Sequence, residues 1–129
     1  MATGFPAATG DILTAAAYNG LVTFEIGTDQ TADYTAVIGD GYQKLVPMNK
    51  ATAVAFKIPT NASVAFPVGT VLNILNKGAG TVTISAVTSG TTSIISAGST
   101  SASPTLGSYK MAACVKTATD TWYVVGAIA

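Results

Sequence analysis

Glu25, Asp29 and Asp33 stand four residues apart in one polar stretch, and carboxylate oxygens gathered in a loop are the ligands a calcium ion takes. A calcium loop also brings Asp and Gly at alternate positions and a closing bidentate Glu. This stretch has neither, so the three acids read as structural or solvating groups. Asp40, inside Gly39-Asp40-Gly41, reads as turn chemistry. A two-carboxylate glycosidase needs both acids facing one cleft, and no pair here sits in an apolar setting. Gly78-Ala79-Gly80 invites a phosphate-loop reading, but that motif requires a strand before it, a helix after it and a lysine in register. A strand-like run follows instead, which favours a hairpin turn. Asn61-Ala62-Ser63 matches a glycosylation acceptor without a secretory signal to support it. Cys114, between Ala113 and Val115, reads as a small buried hydrophobe. Tyr18, Tyr34, Tyr42, Tyr109, Trp122 and Tyr123 could stack sugars, yet most fall at apolar strand positions, where core packing is the better reading.

The composition narrows the chemistry further. Of 129 residues, 49% are hydrophobic and 9% charged, against roughly 25% charged in an ordinary globular domain. Six lysines balance six acids, with no arginine and no histidine. Histidine is the usual general base near neutral pH and the commonest imidazole ligand, so His-based triads and zinc sites are excluded. A single cysteine forms neither an intramolecular disulfide nor a thiolate zinc site. Lys44, Lys50, Lys57, Lys77, Lys110 and Lys116 are scattered singly, which is no phosphate-tracking surface. Nucleic acid is therefore not expected as a partner. No run approaches the roughly 20 apolar residues of a spanning helix, and Met1 to Gly20 lacks the basic start of a signal peptide. The expectation is a weakly charged folded domain with no catalytic role, no cofactor and no membrane partner.

The elements that would position these residues fall into two parts. In residues 11 to 24, Leu13, Ala17, Leu21 and Phe24 recur at helical spacing, with Asp11 or Thr14 as a cap. A helix that short needs a docking surface. From Tyr34 onward β-branched and aromatic residues alternate in short runs punctuated by Gly, Pro, Asn and Ser. The expected strands lie near 34 to 38, 43 to 48, 53 to 58, 70 to 75, 80 to 86, 92 to 96, 106 to 117 and 121 to 127. The spacing predicts a hairpin between 70 to 75 and 80 to 86, with Gly78 at positive φ in its turn. Between Leu106 and Thr117, Lys110 and Lys116 are expected to mark a solvent face, opposite Tyr109, Met111, Ala113 and Val115. Ser85 to Ser108 looks like a low-complexity linker, but Ile94 and Ile95 inside it favour short strands with polar turns. Both faces of the run from Thr121 to Val125 are bulky, as in a strand covered on two sides or covered by another subunit. The fold class expected is all-β, an antiparallel jelly-roll-like β-sandwich over residues 25 to 129, preceded by an attachment segment, residues 1 to 24, with a short helix. So little charge on a small domain points to an oligomer or to docking on a larger assembly.

Two blocks carry a resemblance. Gly4-Phe5-Pro6-Ala7-Ala8-Thr9-Gly10-Asp11-Ile12-Leu13-Thr14-Ala15-Ala16, followed by Tyr18-Asn19-Gly20-Leu21-Val22, resembles the start of tailed-bacteriophage virion proteins, especially tail-fibre and capsid-decoration chains. Lys44-Leu45-Val46-Pro47-Met48-Asn49, Phe66-Pro67-Val68-Gly69-Thr70, Gly78-Ala79-Gly80-Thr81-Val82-Thr83-Ile84 and Asp120-Thr121-Trp122-Tyr123-Val124-Val125-Gly126 look like a β-rich domain of such proteins. The resemblance implies a β-sandwich that trimerises, with an N-terminal attachment segment. Without a long shaft, repeats or a second domain, the expectation is a homotrimeric capsid decoration, or cement, protein on the capsid exterior, with the major capsid protein as partner. Phe5, Ile12, Leu13, Leu21 and Phe24 are the expected contacts of the attachment segment, and Trp122 the expected inter-subunit contact. The alternative is a tail-fibre or receptor-binding module whose tyrosines and 85 to 104 loops meet host glycans.

Overall fold

A computed structural model describes Ala15, residues 23–100 and residues 102–128. The predicted helix over 11 to 24, with Phe5, Ile12, Leu13 and Leu21, therefore lies almost wholly outside the described residues. The described chain is built from ten strands: β1 (Glu25–Ile26), β2 (Tyr34–Thr35), β3 (Lys44–Met48), β4 (Val54–Ile58), β5 (Val71–Asn76), β6 (Val82–Ala86), β7 (Ser93–Ile95), β8 (Thr105–Leu106), β9 (Met111–Ala118) and β10 (Thr121–Gly126). A 3-10 turn, Ile38–Gly41, follows β2.

The strands form two sheets, one of order β1-β3-β5-β9-β10-β7 and one of order β2-β4-β6-β8. Through β8, consecutive strands alternate between the sheets. Two connections return the chain to its starting sheet in its original sense, so β1, β3 and β5 pair in parallel, as do β2, β4 and β6. Among these strands, antiparallel pairing is confined to β5 with β9, β9 with β10 and β6 with β8. The fold is thus mainly β, as expected, but its sheets are mixed and largely parallel rather than an antiparallel jelly roll.

The core lies between the sheets. One inner face presents Val46, Leu72, Ile74, Ala112, Cys114, Trp122 and Val124; the other presents Val54, Phe56, Ile58, Val82, Ile84 and Leu106. β4 shows the cause plainly, since Val54, Phe56 and Ile58 are buried while Ala55 and Lys57 are partly exposed, the period-2 pattern of a strand with one dry face. Phe66 meets the Trp122 ring edge-on at 5.5 Å, a geometry worth roughly 0.5–1.5 kcal/mol beyond area burial.

Several expectations are corrected here. The predicted 70 to 75 and 80 to 86 hairpin does not form: β5 and β6 belong to opposite sheets. Gly78 does not have positive φ; its role is close approach. A Cβ on Gly78 would stand 2.3 Å from the Lys50 carbonyl oxygen, and one on Gly80 only 1.9 Å from that of Thr52. Buried Asn76 sets this connection by donating to the Gly80 and Leu106 carbonyls and accepting from the Gly78 N–H. The single strand expected over 106 to 117 breaks into β8 and β9, with Tyr109 between them at φ 61°. The face assignment of β9 inverts. Ala112, Cys114 and Lys116 point inward, whereas Met111 is exposed and Ala113 and Val115 partly so. The strand expected over 34 to 38 ends at Thr35, because Asp40 folds back onto the Val37 N–H at 2.9 Å. The serine-rich stretch does contain a short strand, β7, as its isoleucines suggested.

Candidate functional site

The side chains that could do chemistry are dispersed and mostly engaged. Asp29 accepts from Asn49 Nδ2 at 3.0 Å and pairs with Lys77 Nζ at 2.9 Å; these contacts, Asn49 first, hold its carboxyl below the usual aspartate range. Asp33 accepts from the Ala55 N–H, and Glu25 stands in register with Lys44 across β1 and β3. No group of three metal-ligating side chains forms among the described residues. Asp40 is fully buried; its Oδ2 accepts from Tyr34 Oη at 2.6 Å and its Oδ1 lies 3.4 Å from Lys44 Nζ, too poorly aligned for a hydrogen bond. Burial, and then the Asp40 carboxylate, push the Tyr34 phenol well above its ordinary value. This cluster ties β2 to the following turn. The Cys114 thiol is buried and pushed up to about 12 by burial alone, which makes it an unreactive core group.

What stands out instead is a sheet face. The outer face of the four-stranded sheet is polar: Thr35, Lys57 and Ser85 form one row in register, and Ala55, Thr83 and Thr105 another. The outer face of the six-stranded sheet is not. One row runs Ile26, Leu45, Asn73, Ala113, Val125 across β1, β3, β5, β9 and β10. The next runs Val71, Val115, Tyr123, Ile95 across β5, β9, β10 and β7. Leu75 beside Met111 forms a third. No charged side chain stands in these rows. Ile26 is 66% exposed and Val125 55%, with Tyr123, Met111 and Val71 also exposed. A sheet apolar on both faces needs a cover on each; the described chain buries Asn73 and Pro47 of the outer face but leaves Ile26, Val71, Met111, Tyr123 and Val125 exposed.

The expected contact residues divide sharply. Phe24 is half exposed and lines a groove of about 360 Å³ with Val71, Asn73 and Gly69. The chain therefore enters the described region at the margin of the apolar face. Trp122 is 1% exposed, enclosed by this chain's own core. The exposed bulk around it belongs to Tyr123 and Val125, on the opposite side of β10. That strand's two-sided bulk was the signal for the face; in β9 the lysines concealed it. Two smaller clefts of about 230 Å³ each, one lined by Ser85, Ser89 and Thr92 and the other by Ser96 and Ser99, share Ala102 and Ser103 and have no aromatic lining. No family model, no curated protein and no solved structure matches this chain.

Proposed function

We propose that this chain is a non-enzymatic structural protein of a bacteriophage virion, a homotrimeric capsid decoration or cement protein that binds and stabilises the major capsid shell from outside. The observation that carries the reading is the uncharged apolar outer face of the six-stranded sheet, set against the polar outer face of its partner sheet. Apolar rows of this extent on a small domain mark a protein contact, and the residue types leave contact area as the working principle. Second copies of the chain cover this face in the trimer. The attachment segment, with Phe5, Ile12, Leu13, Leu21 and Phe24, supplies the contact to the shell. At roughly 800 Å² per partner such an interface is of ordinary size, and repetition over a shell multiplies a modest affinity through multivalency.

The test is the copy number in purified virions by quantitative mass spectrometry, with the oligomeric state measured by light scattering. A simple ratio to the major capsid protein, together with a trimer, is the expected result; removal of residues 1 to 24 then abolishes shell binding. Absence from virions, or a monomer in dilute solution, overturns the reading. A second reading, a tail-fibre or receptor-binding module, is favoured by the hydroxyl-lined clefts between Ser85 and Pro104. Specific glycan retention lost on Ser103→Trp would select it.

A further inference from the structure

Lys116 is 2% exposed, yet it forms no ion pair among the described residues, where the pairs are Lys44 with Asp40 and Lys77 with Asp29. Its ammonium donates to two neutral oxygens, Asn61 Oδ1 at 2.6 Å and the Phe66 carbonyl at 2.7 Å. It sits 5.9 Å from the centre of the Trp122 ring. A buried ammonium without a carboxylate is costly, and it persists only where something offsets the desolvation. The surroundings also hold amine and carboxamide in place from both sides. The Lys116 backbone bonds to Thr70 and Gly69 at the end of the loop that carries Asn61. Asp120 Oδ1 accepts from the Asn61 N–H at 2.7 Å and from Thr92 Oγ1 at 3.2 Å.

We propose that Lys116 and Asn61 become joined by an intramolecular isopeptide bond. Lys116 Nζ passes one proton to Asn61 Oδ1 along their 2.6 Å hydrogen bond and attacks Asn61 Cγ with the lone pair so freed; the Cγ–Nζ bond forms, protons pass on to Nδ2, and the Cγ–Nδ2 bond breaks. The two protons that Nζ gives up leave with the amide nitrogen as ammonium, so charge and atoms balance and no oxidant or cofactor is required. The product is a neutral secondary amide, which removes the buried charge and staples the loop between β4 and β5 to β9. Holding nucleophile and carbonyl group together supplies the proximity that makes a sluggish aminolysis accessible within a fold. This inference stands independently of the virion reading.

The experiment is the intact mass of the full-length purified protein, with tandem mass spectrometry of its proteolytic fragments. The wild type is expected to be lighter than its sequence by one ammonia and to yield a branched peptide joining the segments around Asn61 and Lys116. Lys116→Arg and Asn61→Ala retain their full mass, and Asn61→Asp loses one water instead. A succinimide at Asn61 also sheds ammonia, but it survives in Lys116→Arg and gives no branched peptide. A wild type of full mass, an ammonia loss that persists in Lys116→Arg, or the lack of a branched peptide overturns the proposal. The branched peptide is sought in the wild type, so the test does not depend on any variant folding.

Discussion

Val125→Lys separates a subunit contact from an ordinary apolar surface. In the isolated chain Val125 is 55% exposed, on the outer side of β10 and in register with Ala113, so a lysine there extends its ammonium into water. Surface substitutions of this kind change folding stability by no more than about 0.5 kcal/mol. In a symmetric assembly that covers the face, every copy brings its own ammonium into the contact. An ammonium buried in a contact with no opposite charge costs several kcal/mol; with about 3 kcal/mol per contact, and about 1.4 kcal/mol for each tenfold in affinity, the dissociation constant rises about a hundredfold. Val87→Lys is the control, since Val87 is 50% exposed but follows β6 of the other sheet. Sedimentation velocity over a dilution series, with urea unfolding of each variant, reads both quantities. The expected outcome is dissociation of Val125→Lys at concentrations where wild type and Val87→Lys stay assembled, with similar unfolding midpoints for the separated chains. Equal assembly of all three proteins would refute the assignment of this face.

Tyr34→Phe removes a 2.6 Å hydrogen bond to the buried Asp40 carboxylate and costs about 1.5–3 kcal/mol in urea unfolding. The raised phenol makes a signed pH prediction: the folded state favours protonated Tyr34, so its contribution is complete below the ordinary tyrosine value of 10.0 and declines as pH climbs beyond it. Cys114, raised from 9.0 to about 12, adds a loss of the same sign above pH 9.0; Tyr34→Phe removes only the tyrosine part of the alkaline decline. Gly80→Ala drives a methyl into the Thr52 backbone and destabilises by more than about 4 kcal/mol. Gly39→Ala, where nothing lies within 4 Å, stays within about 1 kcal/mol, as thermal unfolding of the two variants will show.

The strands themselves were largely legible, because runs such as 53 to 58 and 121 to 127 carry β-branched and aromatic residues in a period-2 pattern that a half-buried strand requires; β4 and β10 occupy them. Pairing was not legible. The Asn76 to Gly80 stretch has the composition of a tight turn, and local chemistry cannot reveal that Gly78 and Gly80 lie against Lys50 and Thr52 instead. Partners such as Leu45 with Asn73 or Val54 with Val82 are distant in sequence, and nothing in a parallel pair marks its mate. The face of β9 was misread because a lysine normally signals water. Lys116 finds its acceptors on Asn61 and Phe66, which only the folded loop brings within reach. The apolar outer face was half visible in the Thr121 to Val125 run and hidden where Lys110 and Lys116 flank Met111, Ala113 and Val115.

The alternation of strands between sheets has a consequence for how the chain reaches this state. Of the strand pairs among the described residues, only β9 with β10 is a tight hairpin, turning through Thr119 and Asp120. Every other pairing closes a long loop before it gains a contact, the topology of a slow folder. The local hairpin is also made after every other described strand, and β5, at the middle of the larger sheet, must wait for β9 to flank it. Synthesis must therefore pass β10 before the larger sheet can close. A product truncated before β9 lacks the hairpin together with Ala112, Cys114, Trp122 and Val124 of the core, and with them the β9 and β10 share of the apolar outer face.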